Sequence, residues 1–511
     1  MSLKNTFYQD SKSLCSAQRL LFPLTFLLFL SVCFSSCTVS KQPFNPHKKY
    51  SAAQLQQDYK LFQGILETRH PSLYWYTSKP AMDSAFSAGW QMLNDSLTEY
   101  EFRKILSLAV ARVDCGHTSV RVSKSYEKYS DTVKGKTTFP FSVKAWDDSV
   151  AFISSIYKNI SIRQGDIIDS INGRSVKYLL DTMYRFMPAD GGSLVAKNQL
   201  LSSGTYFGSL YTALYGWQKR FDISYTDTAG EKKQVVLKPL PVKADSLSAK
   251  EKKSIAKKEK ISKAERLKNA RQLEVNTDSG YAIMQLNSFS EKLQLKKFFR
   301  QSFSELKKKQ VNNLIIDLRL NGGGRVDNAN YLIRRLTDRK YKAGDSLYAT
   351  AVKSKYNPYI HNSFWVNLFI RANTSNKNGR RHFRYFERHF FKPKKHNHFN
   401  GQVYLLSGGR SYSASTMVLG ILKGQPHVTI VGEPSGGAAY GNSAWQIPVA
   451  TLPQTKVRLR FPLFRYVINK NLPHDGQGVQ PDVYAGTNLE AIRMGKDYKM
   501  EQVTELIKSK R

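Results

Sequence analysis

From residue 276 onward, strand-length apolar segments (YAIMQL, VNNLIIDLRL, GQVYLLSGG, HVTIVGEPS, NSAWQIPVA and VRLRFPLF) alternate with helical stretches. Such alternation points to α/β layering, a sheet covered by helices. One junction is unusual. Residues 404–422 run from the apolar YLL through SGGRSYSAST into MVLGIL, so small residues and serines fill a turn from strand to helix. Serine is favoured at helix starts for local hydrogen-bonding reasons alone. A serine there also has an exposed hydroxyl beside unpaired backbone N–H groups, which would stabilise an oxyanion.

A chain of 511 residues exceeds one compact core, and its 41% hydrophobic and 12% aromatic content excludes a disordered protein. The net charge of +39 raises nucleic acid, anionic membrane or acidic partners as possibilities. The amino terminus narrows these. Lys4, Lys12 and Arg19 precede LLFPLTFLLFLSVCFSSC at 20–37, a signal-peptide pattern over 1–36. FSSC at 34–37 resembles a bacterial lipoprotein signal with Cys37 as the lipidated residue, although Phe34 departs from the usual Leu. The expected protein is exported to the cell envelope as a membrane lipoprotein facing the periplasm or the exterior. A nucleic-acid partner is therefore not expected, and the basic surface is expected to face anionic lipid or envelope polymer. Past the signal and Cys37 only Cys115 remains, so no disulfide framework follows.

The tether spans 37–50. Helical spacing over 51–120, as in LQQDYKLFQGIL and FRKILSLAVARV, predicts a small helical domain. Within 138–240, the run GDIIDSING carries an Asn172-Gly173 hairpin turn. A basic linker follows over 241–275; its 243–271 part has 11 Lys or Arg against 4 Asp or Glu. The core is expected over 276–495 and a tail over 496–511. Inside the core, about 351–400 form a basic insertion rich in aromatics, a combination that could stack on bases or sugars or face a membrane, and it is read as a surface insertion. His396 and His398 lack further ligands at metal spacing, so neither metal nor cofactor is expected.

The glycine-closed strand NNLIIDLRLNGGG (312–324), SGGRSYSAST, IVGEPSGG (430–437) and DGQGVQPDV (475–483) occur in one order. Together they resemble the C-terminal processing (tail-specific) proteases and the tricorn core, serine peptidases on a ClpP/crotonase-like fold. The run GDIIDSING likewise resembles the PDZ domains such proteases carry, which bind extended peptides at a sheet edge. The resemblance implies a peptide or protein substrate, possibly held by its C-terminal segment. It makes Ser413 the nucleophile, with Ala414 and Gly323, or else Gly324, supplying oxyanion N–H groups.

The processing proteases place a lysine base just after GEP, where this chain has Ala438. The tricorn-like branch instead uses an upstream histidine, which falls on His117 of DCGHTSVRV, preceded by Gly116 where that branch has serine. Its third member, a glutamate, has Asp475 as its nearest counterpart, with His474 a competing base. An unperturbed His117 would titrate at about 6.5 and set the acid limb of activity there. The alternatives are an inactive peptide-binding protein on the same fold and, less consistent with export, an acyl-CoA enzyme using the same oxyanion architecture.

Overall fold

A computed structural model describes residues 44–132, 137–241, 263–350 and 352–510. The signal segment, Cys37 and most of the basic linker lie outside the described residues. Among those described, no helix is long and apolar enough to cross a membrane.

The central sheet has six strands in the order Arg271–Asn276, Tyr281–Leu286, Asn313–Asp317, Gln402–Ser407, Val428–Gly432 and Val483–Tyr484. The first pair is antiparallel and the others are parallel. Parallel neighbours need crossovers, and helices Leu295–Lys308, Val326–Leu336 and Ala414–Leu422 lie in them. Helix Leu295–Lys308 shows why it forms. Leu295, Phe298, Phe299, Phe303 and Leu306 recur at helical spacing and are buried, while lysines fill the other face.

Strands covered on both sides should read as continuous apolar runs, and these do. Leu314, Ile316, Val403, Leu405 and Ile430 enter the main core. The alternate residues Ile315, Tyr404, Leu406 and Val431 pack with Val503 and Ile507 of the terminal helix Tyr498–Ser509.

Three helices, Ala52–Arg69, Lys79–Gln91 and Glu99–Ala111, open the compact unit that begins at Pro46. The first and third start on capping boxes, Ser51 with Gln54 and Thr98 with Glu101. A side-chain cap contributes about 1 kcal/mol. Their apolar faces, with Tyr59, Phe62, Phe86 and Phe102, belong to the same hydrophobic cluster as the central sheet. Two buried polar latches fix the first helix. The Asp58 carboxylate accepts from Thr455 N–H at 2.8 Å and Gln454 N–H at 3.0 Å, and Arg69 donates to Val352 O and Asn357 Oδ1, both at 2.8 Å.

Residues 141–237 form a second sheet with its own core, ordered Lys232–Leu237, Phe221–Thr226, Ile167–Ile171, Ser149–Ser155 and Phe141–Trp146. Ile167–Ile171 also pairs with Arg174–Ser175 through a two-residue turn. There Asn172 (φ 49°) and Gly173 (φ 74°) both adopt positive φ, as a type I′ hairpin requires.

The insertion is fastened to the body by a five-stranded sheet. Within it, Ser346–Ala349 lies between Arg380–His382 and Phe464–Val467.

Candidate active site

Strand Gln402–Ser407 ends in a turn whose backbone is tied down before the helix begins. Ser411 Oγ donates to Leu318 O at 2.8 Å and accepts from Gly408 N–H at 3.2 Å, and Tyr412 N–H reaches Asn321 O at 3.1 Å. The next residue, Ser413, sits at φ 56°, ψ −116° immediately before helix Ala414–Leu422. That conformation is strained for any residue with a Cβ, and surrounding structure must impose it. The result lifts one hydroxyl out of a sharp strand-to-helix elbow beside the first N–H groups of a helix, a geometry suited to a nucleophile.

The glycine-rich turn closes over this elbow. A Cβ on Gly323 would stand 2.7 Å from Ser413 Cβ, 2.6 Å from Tyr412 O and 3.0 Å from Ala414 N. Gly323 (φ 93°) and Gly324 (φ 143°) therefore serve both backbone conformation and close approach. The expected oxyanion pair is only partly arranged. Ala414 N lies beside the turn, but the Gly323 N–H is donated to Asn321 Oδ1 at 2.9 Å. The Asn321 side chain is buried and competes for that donor, so Gly323 can serve an oxyanion only if this hydrogen bond is exchanged.

His117 is brought to the elbow from nearly 300 residues upstream. Strand Ser119–Arg121 pairs with Arg458–Arg460, and Arg460 Nη1 donates to His117 O at 3.3 Å. The His117 ring lies 5.5 Å from the ring of Tyr412, the neighbour of Ser413. Its Nδ1 is shut from solvent with no partner among the described residues. Burial, and secondarily the Arg460 guanidinium, push its pKa down to about 4. It is thus a neutral imidazole at neutral pH, in the protonation state a general base needs. No hydrogen bond joins it to Ser413 among the described residues.

The carboxylate beside His117 is Asp190, a residue that none of the sequence motifs contains. Ligand atoms of Cys115, His117 and Asp190 all lie within 4.8 Å of one another. Asp190 is buried; its Oδ1 accepts the Gly116 N–H at 2.9 Å, and its backbone N–H donates to Tyr412 Oη at 3.0 Å. Burial raises its pKa to about 6, opposed by the Tyr412 hydroxyl and the Gly116 and Ala438 N–H groups. Ala438, at the place of the family lysine, therefore contributes its backbone to the same carboxylate. These three side chains are also a donor set that a soft cation could use, although burial pushes the Cys115 thiol up to about 12.

Asp475 corrects the expectation for the orienting group. It is exposed, and its Oδ1 accepts the N–H of Gln477 in its own turn at 2.9 Å. Its loop reaches the site through the backbone instead, with Gly476 packed on Gly191. His474 packs its ring on Tyr440, Trp75 and Tyr76 at 4.7, 4.9 and 5.1 Å. That aromatic packing accounts for its presence.

Gly116, where the tricorn-like pattern has serine, has a steric reason. A Cβ there would collide with Tyr412 Oη. The Tyr412 hydroxyl occupies that space instead, accepting the Asp190 backbone N–H. A cleft of about 260 Å³ opens at this point, bordered by Gly116, Ala189, Gly322, Gly409, Arg410 and Tyr412.

Residues 280–485 match the model of peptidase family S41. No curated protein sequence matches the chain. Among solved structures, mature CPAF superposes with a TM-score of 0.62 at 14% identity, covering 89% of this chain and 97% of that one. Mature CPAF complexed with lactacystin gives 0.62 at 14% identity, with 89% and 98% covered. At this identity the likeness speaks for the fold, a mixed α/β architecture of the S41 peptidase type. By the family match, residues 280–485 are similar to peptidase family S41, a family of serine peptidases.

Proposed function

We propose that this protein is an exported, lipid-anchored serine endopeptidase of the tail-specific/tricorn type that cleaves peptides or proteins through an acyl-enzyme. The observation carrying this reading is the strained elbow at Ser413, packed against Gly323 and flanked through Tyr412 by a neutral His117. In the proposed cycle Ser413 Oγ attacks the scissile carbonyl as His117 takes its proton. His117 then protonates the leaving amine, and water repeats the sequence on the ester. Asp190, rather than Asp475, takes the orienting role. Ala414 N–H serves the oxyanion first, joined by Gly323 once Asn321 yields.

We read the central sheet as a ClpP/crotonase-like core and residues 138–240 as a PDZ-like domain. The type I′ hairpin and the edge strand Phe141–Trp146 support a peptide-binding role. The edge is partly occupied, because Ser202 Oγ accepts the Ala145 N–H at 2.9 Å. A peptide adding there must displace that hydroxyl. Removing 138–240 should raise KM for long substrates more than for short ones.

A fluorophosphonate probe tests the catalytic reading. Labelling at Ser413, absent in Ser413→Ala, supports it. A folded chain that binds peptides without being labelled would instead be the inactive binding protein. Cys37 lipidation is tested separately by mass spectrometry of the mature amino terminus.

A further inference from the structure

We propose that helix Ser363–Asn373, with the basic hairpin after it, rests on an anionic lipid bilayer. This contact is separate from any lipid at Cys37. The helix, SFWVNLFIRAN, is apolar on two sides. Ile370 is buried, and Val366 and Phe369 pack against the main core, which accounts for one side. The other side turns outward, with Phe364 69%, Trp365 67% and Leu368 47% exposed. Phe364 and Trp365 meet edge to face at 5.2 Å, and Arg371 stands one turn beyond Leu368. Large rings at such exposure, adjacent on one helix, form a patch that a solitary soluble surface seldom carries.

The surrounding charge selects the occupant. Residues 351–400 hold 11 Lys or Arg and one acid, Glu387. Glu387 is taken up by His382, Ser346 Oγ and the Leu347 N–H. Among the described residues the ion pairs of this stretch are made by His382 and His398 and by none of the 11 cations, although Arg380 lies over the Tyr348 ring and donates to its hydroxyl at 3.3 Å. The helix runs directly into the hairpin Ser375–Lys377 and Arg380–His382, where Lys377 stands opposite Arg380, both exposed. A second copy of this chain would set one uncompensated basic face against another. A bilayer with anionic headgroups matches both features: the rings and Leu368 enter the acyl boundary while Arg371, Lys377 and Arg380 meet phosphates.

The test uses the full chain with vesicles of mixed phosphatidylglycerol and phosphatidylcholine, or of phosphatidylcholine alone, followed by hydrogen exchange. The proposal expects protection of the segment 363–382 on phosphatidylglycerol vesicles, decreasing at about 0.5 M salt. It also expects at least tenfold weaker association of the Phe364→Ser/Trp365→Ser variant, with peptide hydrolysis in solution unchanged. These side chains are exposed, so thermal melting should be unaffected; if that variant fails to fold, Lys377→Glu/Arg380→Glu gives the same reading through charge. Equal protection on phosphatidylcholine alone, undiminished binding by the variants, or protection by an anionic polymer such as heparin but not by vesicles would each overturn the proposal. Attachment to phosphatidylcholine vesicles with 363–382 unprotected would report the amino-terminal anchor alone and would also overturn it.

Discussion

Gly323 packs closely on Ser413 across the elbow: a Cβ on the glycine would come 2.7 Å from the serine's own Cβ. The two belong to different loops, after neighbouring parallel strands Asn313–Asp317 and Gln402–Ser407. Strand pairing therefore sets how closely they meet, and no side chain fits between them.

Gly323→Ala should consequently disable catalysis while the core remains folded. The methyl would force the glycine turn away from Ala414 N, removing one prospective oxyanion donor, a loss of about 10²–10³ in kcat. Steady-state kinetics beside an unchanged circular dichroism spectrum would check it.

The Gly116–Tyr412 contact makes a paired prediction. Gly116→Ala should sharply reduce activity, because its methyl and Tyr412 Oη cannot share one position. Adding Tyr412→Ala to the same chain should relieve the clash and restore thermal stability relative to Gly116→Ala alone. A double-mutant cycle in melting temperature would show this as positive coupling.

The acid limb of kcat/KM should lie well below the ordinary imidazole value of about 6.5. In the proposed role His117 takes a proton only when neutral, and burial with Arg460 nearby holds its pKa down to about 4. Activity is thus retained as pH falls through the ordinary value and disappears on approaching the depressed one. Asp190, raised to about 6, becomes protonated on the way and should add a shallower inflection there. Asp190→Asn should remove that inflection from the pH–rate profile and leave the lower one.

His70 should make the fold acid-sensitive. Its Nδ1 accepts the Ser72 N–H at 3.2 Å and its Nε2 lies 2.9 Å from Thr118 Oγ1, so a second proton would face the Ser72 donor. Burial depresses its pKa to about 3. A histidine whose folded pKa is lowered contributes full stability above the unfolded value of about 6.5 and loses it as pH falls toward the folded one. At about pH 5 the loss is about 2 kcal/mol from this residue. Urea unfolding at neutral pH and at that acid pH would measure it, and His70→Gln should flatten the difference.

What is written in local pattern can be read from the sequence alone. The parallel strands declare themselves as unbroken apolar runs, the Asn172-Gly173 hairpin by its turn residues, and the strand-to-helix elbow at Ser413 by the small-residue knot at a strand end. The place of Asp190 beside His117 is not legible in this way, because it arises from docking. Its short ADGG turn is brought to Gly116 only when Gly191 packs on Gly476, and no local periodicity encodes that contact. Asp475 stands at the expected distance along the chain, but its carboxylate turns to cap its own loop. Gly323 illustrates the same limit at atomic scale. Its flexibility is evident from the triple glycine, whereas the capture of its N–H by Asn321 depends on a side-chain rotamer.

The pairing of Ser119–Arg121 with Arg458–Arg460 has a temporal consequence. His117 is held by a strand partner made more than 300 residues later, so a growing chain carries its histidine unclamped until position 460 has left the ribosome. Ser413 is synthesised before that partner but cannot meet an ordered His117 until it arrives. For the proposed Ser413–His117 pair, order of synthesis thus delays assembly until residue 460 has been made.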